Sequence, residues 1–247
     1  LKMLGYETRV CRQADCVVAV SERDKEQLLS FVPGARVECV PTGVDTEAVP
    51  FHSGPREPDS ILFLGHMSHM PNIDALTWFH RQVFPLVRRL RPSARLQVVG
   101  SRAEVELPRV APELHAALAA DSAVEVVGTV PDTKPYLDAA SLMVVPVLVG
   151  AGVRVKIFES FSAGLPVVST SLGAQGIPVR DREHLRLGDS PLGMSQAIAE
   201  TLRKPEEAAQ MAQRARRLVE EQFDYQALAR RLLSVYEQVV QRAREER

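Results

Sequence analysis

Residues 150–177, GAGVRVKIFESFSAGLPVVSTSLGAQGI, order as a glycine loop, a short helix, a Gly-Leu-Pro break, a buried strand and a second glycine loop. An open α/β sheet builds an anion site at its carboxyl edge from a run of this kind. Arg154 and Lys156 fall in the first turn expected of that helix, where cations oppose the helix dipole by about 0.3 to 1 kcal/mol each. Something negative belongs between them. Glu159 follows Lys156 by three residues, so a helix sets the two on one face, one turn apart. A phosphate at the mouth and a hydroxyl-bearing group one turn deeper suit that pair. Gly150 and Gly152 let backbone amides approach an anion with no Cβ in the way. The blander alternatives are an exposed ion pair for Lys156 and Glu159, a solvated cation for Arg154 and a plain turn for the glycines. One local conflict stands in this run. Val153 to Ile157 alternate with period two and favour a strand, whereas Val153, Ile157 and Phe161 keep a four-residue spacing with Gly164 as a stop, which favours the helix expected here.

Outward from this stretch, strand and helix periods alternate. Asp15 to Val20 and Arg36 to Val40 read as strands, with Ser21 as an N-cap between them. Phe51 to Ser60, FHSGPREPDS, is rich in turn formers and reads as a linker, which sets a domain boundary between residues 55 and 56. Ile61 to Leu64 is a buried strand, and Ile73, Leu76, Phe79, Val83, Leu86 and Leu90 hold one helical stripe behind Pro71 and Asn72. Arg95 to Val99, Val124 to Val127, Leu142 to Val145 and Pro166 to Ser169 are further β-rich runs. Such alternation predicts an α/β fold with a doubly wound parallel sheet. Two amphipathic helices, Pro205 to Gln222 and Tyr225 to Arg242, close the chain, the second with Leu228, Leu232, Val235 and Val239 on one stripe.

Composition excludes more than it selects. With 247 residues, 45% hydrophobic, the chain can bury one good-sized core and an appendage. A formal net charge of −1 provides no basic field for nucleic acid. Cys11, Cys16 and Cys39 have neither CxxC spacing nor an even count, so neither a disulfide framework nor a metal site is expected. His66 and His69 lie three apart, with Met and Pro beside them and no clustered Cys, Asp or Glu, which argues against a metal there too. No apolar run approaches the roughly 18 residues of a membrane span, and nothing at the start reads as a signal peptide. Leu1 opens in mid-pattern, so a further domain is expected upstream.

The central run resembles the signature of the retaining GT-B glycosyltransferases, in the family-4-like branch of glycosyl transferases group 1, whose pattern is Gly-x-Gly-x-Arg-x-Lys-x-x-Glu, then Gly-x-Pro-Val-Val-x-Thr and Gly-x-Glu-Gly. The similarity continues in ILFLGHMSHMPNIDALTWFHRQVFPLVRRLRPSARLQVVG and, further back, in ADCVVAVSERDKEQL and VECVPTGVDTEAV, so it covers nearly the whole chain. The resemblance implies the C-terminal, Rossmann-like half of a GT-B fold over residues 56–247, with residues 1–55 as the end of the preceding domain and the crossover. It implies a donor diphosphate contacted by Lys156 and Arg154 and ribose hydroxyls held by Glu159. Gly65, His66, Gly150, Ala151 and Gly152 would complete the donor site, with the backbone at Val130 against the nucleotide base.

Departures from the pattern matter as much. Ala151 stands where many relatives have a glutamate that holds the donor sugar. His66 and Pro71 stand where many have an arginine and a lysine, cations that Arg154 and Lys156 would replace. Gln175 occupies a usual glutamate position, its role open. The expectation is therefore a glycosyltransferase that moves a hexose-like unit, with retention and without metal or cofactor, from a nucleoside diphosphate sugar to a glycan or lipid-linked acceptor. An isolated chain would be inactive without the facing domain of the same protein. The expected setting is bacterial polysaccharide assembly in the cytoplasm, with peripheral association at the inner face of the membrane. The rival readings are a non-catalytic nucleotide-sugar-binding scaffold and a GT-B nucleotide-sugar epimerase.

Overall fold

The computed structural model describes residues 2–150 and 152–245. Helix α1 (Lys2–Gln13), strand β1 (Val17–Ala19), α2 (Glu22–Phe31) and β2 (Val37–Cys39) open the chain, and β1 pairs in parallel with β2, Val17 opposite Val37. The Ser21 hydroxyl accepts the Asp24 N–H at 3.1 Å and caps α2 as the sequence predicts. A second unit then runs through β3 (Ser60–Leu64), α3 (Met70–Trp78), α4 (Phe84–Leu90), β4 (Arg95–Val99), α5 (Ala103–Val110), α6 (Pro112–Ala120) and β5 (Val124–Gly128). It continues through α7 (Lys134–Ala139), β6 (Leu142–Val145), α8 (Val155–Ser162), β7 (Val167–Ser169), β8 (Arg186–Leu187), α9 (Pro191–Arg203), α10 (Pro205–Gln222) and α11 (Tyr225–Glu245).

Among the described residues, β3 to β8 form one parallel sheet in the order β5-β4-β3-β6-β7-β8. Its central strands are continuous apolar runs because both faces are covered. Ile61, Phe63, Leu142 and Val144 feed one layer with Phe79, Val83 and Ile198, while Leu62, Leu64, Met143 and Val145 feed the other with Ile157, Phe158, Phe161 and Val219. Side-chain alternation along a strand makes this two-sided burial obligatory.

The single helix expected over residues 73–90 is interrupted. Phe79–Val83 is a π-helical turn, closed by the Phe84 N–H on the Phe79 carbonyl, with Pro85 at the start of α4. Proline has no N–H to return to the carbonyl four residues back, and one i→i+5 turn absorbs the mismatch. β8 is a two-residue strand that the sequence reading does not include.

The crossover segment is tied down. Val44 N–H donates to Phe223 O at 2.9 Å, Tyr225 N–H donates to Val44 O at 3.1 Å, and Thr46 Oγ1 donates to Asp224 at 2.6 Å. The Thr46 hydroxyl holds the Asp224 carboxyl below the usual carboxylate range. In the stretch read as a linker, Arg56 donates to the carbonyls of Leu137, Asp138, Ala140 and Ala163. After α10 the chain returns to the first unit, where Arg36 donates to Gln238 on α11 at 2.6 Å. Leu228 and Val235 of the predicted α11 stripe are buried. No helix of the described residues is long and apolar enough to cross a membrane.

Candidate functional site

The strand order reverses between β3 and β6, so the connections leaving these neighbours run to opposite sides and open a crevice at the carboxyl edge. Helix α8 begins there. Ile157, Phe158 and Phe161 are fully buried, and Phe158 stacks on Phe223 at 4.5 Å, which fixes the face that α8 turns inward. The helix ends in a Schellman motif: Gly164, at φ +67°, donates to Phe161 O at 3.1 Å and Leu165 donates to Ser160 O at 2.8 Å. At the other end Arg154 is the N-cap, extended at φ −92° and ψ 91°, with no side-chain cap on the helix amides. Here the structure corrects the sequence reading. Lys156 lies in the first helical turn, but Val153 and Arg154 precede the helix, with Arg154 as its extended N-cap.

The Lys156 side chain crosses the crevice. Its Nζ donates to the carbonyl of Leu64, the last residue of β3, at 2.5 Å and to Asn72 Oδ1 at 3.3 Å, and sits 5.7 Å from the Phe63 ring centroid. Burial pushes its pKa down to about 8; Arg154 adds to that shift and Glu159 opposes it. Among the described residues no salt bridge joins Lys156 to Glu159, so the two are not the ordinary surface ion pair that spacing alone allows. Glu159 is half-buried one turn along α8, and burial raises its pKa against the pull of Lys156. It can accept hydrogen bonds from hydroxyls on a ligand.

Around this pair the glycine loop is held by strain that only glycine relieves. Gly150 and Gly152 take φ +118° and +86°, and Arg154 Nη1 folds back onto the Gly152 carbonyl. Partial burial lowers the Arg154 pKa, and the guanidinium stays a cation. Ala151 lies outside the described residues. Gly65 follows β3 directly, and its N–H donates to Val99 O at 3.1 Å. His66 is exposed; its Nδ1 accepts the Ser68 N–H at 3.2 Å, and its ring meets that of His69 edge-on at 5.1 Å. Among the described residues no group of three or more His, Cys, Asp or Glu could hold a metal ion.

Val130 leaves the end of β5 half-buried against the second core layer. The preceding Thr129 is fixed by Glu104, which accepts from its Oγ1 at 2.8 Å and its N–H at 3.3 Å. The second glycine loop packs beside the first, since an added Cβ on Gly176 would stand 3.2 Å from Val153 Cγ2. Gln175 in that loop is half-buried, and its N–H donates to Leu172 O at 3.3 Å. Asn72, which the sequence reading uses only as a helix-start signal, touches the candidate cation. Its position after Pro71 was the available cue. An apolar cleft of about 600 Å³, lined by Cys39, Ile177, Phe223 and Leu228, lies elsewhere, between the first unit and the last helices.

Comparison with known proteins matches the chain to a family. Residues 58–221 match the model of glycosyl transferases group 1, and residues 2–48 match that of glycosyltransferase family 4. An uncharacterised 44.6 kDa protein in the cps region of Klebsiella pneumoniae is 23% identical over 169 residues, 67% of this chain and 42% of that protein. Glycogen synthase of Mycobacterium tuberculosis is 24% identical over 251 residues, covering 94% of this chain and 56% of the synthase. The chain thus spans about half the length of the curated relatives it matches. Among solved structures, sucrose-phosphate synthase from Thermosynechococcus elongatus superposes with a TM-score of 0.75 at 22% identity, over 96% of this chain and 61% of that one. Anabaena HepE in complex with UDP-glucose gives 0.77 at 15% identity, over 95% and 67%. The α/β architecture is that of the GT-B glycosyltransferases, and with two thirds of its residues inside one family model the chain belongs to the glycosyl transferases group 1 family.

Proposed function

We propose that residues 56–247 form the donor half of a retaining glycosyltransferase that takes a hexose-like unit from a nucleoside diphosphate sugar to a glycan or lipid-linked acceptor, with residues 1–55 belonging to the preceding domain and crossover. The observation that carries this reading is the buried Lys156 ammonium at the β3–β6 switch point, beside an uncapped helix N-terminus. A desolvated cation facing orphan amide groups is a site made for a diphosphate. Anabaena HepE, whose structures include UDP and UDP-glucose complexes, shares the fold and supports the ligand class. As the bond between the anomeric carbon of the donor sugar and the diphosphate oxygen breaks and the acceptor oxygen takes its place, negative charge grows on the leaving diphosphate, and Lys156, Arg154 and the α8 amides would stabilise it without reorganising. Glu159 would fix the ribose, and the backbone at Val130, two strands and therefore about 10 Å from β3, would meet the base. Sugar hydroxyls would be met by backbone groups of the Gly150–Gly152 loop.

Two expected results test this assignment. Glu159→Gln costs about 1 to 2 kcal/mol in binding a ribonucleoside diphosphate and much less for a dideoxyribose analogue, because only the first ligand has hydroxyls to donate; equal losses for both ligands would remove Glu159 from the ribose. Chelation is expected to leave the affinity for UDP within about twofold, since protein cations carry the charge. A roughly tenfold loss in EDTA, restored by manganese or magnesium, would transfer that role to a metal.

A further inference from the structure

The Asn72 side chain makes more connections than a residue marking a helix start requires. Lys156 has three N–H donors and no acceptor, so the amide oxygen of Asn72 must face it and the amide nitrogen must point away. That nitrogen donates to the carbonyl of His66 at 3.0 Å, while the Asn72 N–H donates to His69 O at 2.9 Å. The same side chain lies against the end of β3, since a Cβ added to Gly65 would stand 3.2 Å from Asn72 Cγ and 3.3 Å from its Cβ. One amide therefore joins the loop after β3, the glycine that ends the strand and the cation of α8, across 84 residues of sequence.

We propose that Asn72 is a positioning residue of the donor site, whose amide holds the Lys156 ammonium against the end of β3 while leaving its charge intact for the diphosphate. This rests on the donor-site reading above. The chemistry explains the residue type. A carboxylate in this place would hold the ammonium more tightly but cancel its charge and repel phosphate, and an aliphatic residue would leave the buried ammonium one acceptor short. An amide does neither. With Leu64 O and Asn72 Oδ1 as its partners among the described residues, the ammonium keeps one N–H for a phosphate oxygen.

The test is calorimetry of UDP-glucose binding to this chain at pH 7 and pH 8.5, with Lys156→Ala as the reference. The charged groups acting on Lys156 are Arg154 and Glu159 on α8; His66 and His69 lie in the loop whose carbonyls Asn72 holds, and Lys156→Ala reports any pH dependence that these groups contribute. Removal of the neutral acceptor in Asn72→Ala lowers the proton affinity of the ammonium. A shift of about one unit makes binding about twofold weaker at pH 7 and about eightfold weaker at pH 8.5. Asn72→Asp, nearly isosteric although it forfeits the bond to the His66 carbonyl, reverses the trend: binding is weaker at pH 7 and loses less than the parent on going to pH 8.5. Equal weakening at both pH values in both variants would mean a merely structural role and overturn the proposal. Parent-like binding by Asn72→Ala and Asn72→Asp, with Lys156→Ala impaired, would overturn it as well. Parent-like binding by Lys156→Ala would instead overturn the donor site.

Discussion

Lys156→Ala is expected to weaken UDP binding by about 1.5 to 3 kcal/mol, roughly 10- to 150-fold, because it removes a charged hydrogen bond to phosphate from a desolvated place. The remaining affinity should depend less on salt than that of the parent chain, since one charge–charge contact is gone. The pH dependence has a definite sign. In the empty site the Lys156 pKa is about 8, and a bound anion favours the ammonium, so the proton is held more tightly in the complex than in the free protein. Affinity is therefore full below about pH 8 and falls as the pH rises above it, and the variant lacks this fall. The same linkage acts on the empty fold. The unfolded chain keeps its lysine proton up to about pH 10.4, so between pH 8 and that value it binds more protons than the folded state, and stability rises with pH across the window. Below pH 8 the cost of burying the charge is present in full, as expected of a residue retained for binding. Calorimetry at two ionic strengths and at pH 7 and pH 9 reads all of this. Variant affinity equal to that of the parent would show that the crevice does not take diphosphate.

Gly100→Ala is expected to cost about 3 kcal/mol of stability and to abolish UDP binding at concentrations that saturate the parent. Gly100 follows β4 directly, and an added Cβ would lie 1.9 Å from the Gly65 carbonyl oxygen and 3.0 Å from its carbon. Neither contact can be relieved by a rotamer change, because both atoms are backbone. The Gly100 N–H also donates to Gly128 O at 2.9 Å, so the ends of β3, β4 and β5 are locked together and must shift as one. That shift moves Gly65 and with it Asn72 and the Leu64 carbonyl that holds Lys156. Gly5→Ala is the matched control, since nothing lies within 4 Å of a Cβ there; in an exposed helix it is expected to be neutral or to stabilise by about 0.5 to 1 kcal/mol. Denaturant midpoints and UDP titrations of the two variants decide the matter. A Gly100→Ala protein with the parent's midpoint and affinity would mean that the strand ends are not this closely packed.

Much of the fold was readable along the chain because its signals are local. Ser21 caps a helix through its near neighbour Asp24, Gly164 and Leu165 end α8 by donating to carbonyls three and five residues back, and a buried parallel strand such as Leu142–Val145 is apolar at every position. The reading faltered where two local preferences competed. At the start of α8 the helical spacing prevailed from Val155 on, but Arg154, read as part of the first turn, is the extended N-cap before it. At Phe79–Val83 an otherwise regular helical stripe took a π turn, because a proline six residues after Phe79 withheld its N–H.

By itself, then, the sequence determined the alternation of strands and helices, the glycine loops at Gly150–Gly152 and Gly173–Gly176, and the face shared by Lys156 and Glu159, all of which depend on residues within a turn or two of one another. Only the tertiary structure decided that β3 and β6 lie side by side. That pairing brings Lys156 onto a carbonyl 92 residues away, recruits Asn72, and buries the ammonium enough to bring its pKa to about 8. Strand order is set by which apolar faces pack together across the whole core, and a cation's partners and desolvation follow from that packing rather than from its neighbours in sequence.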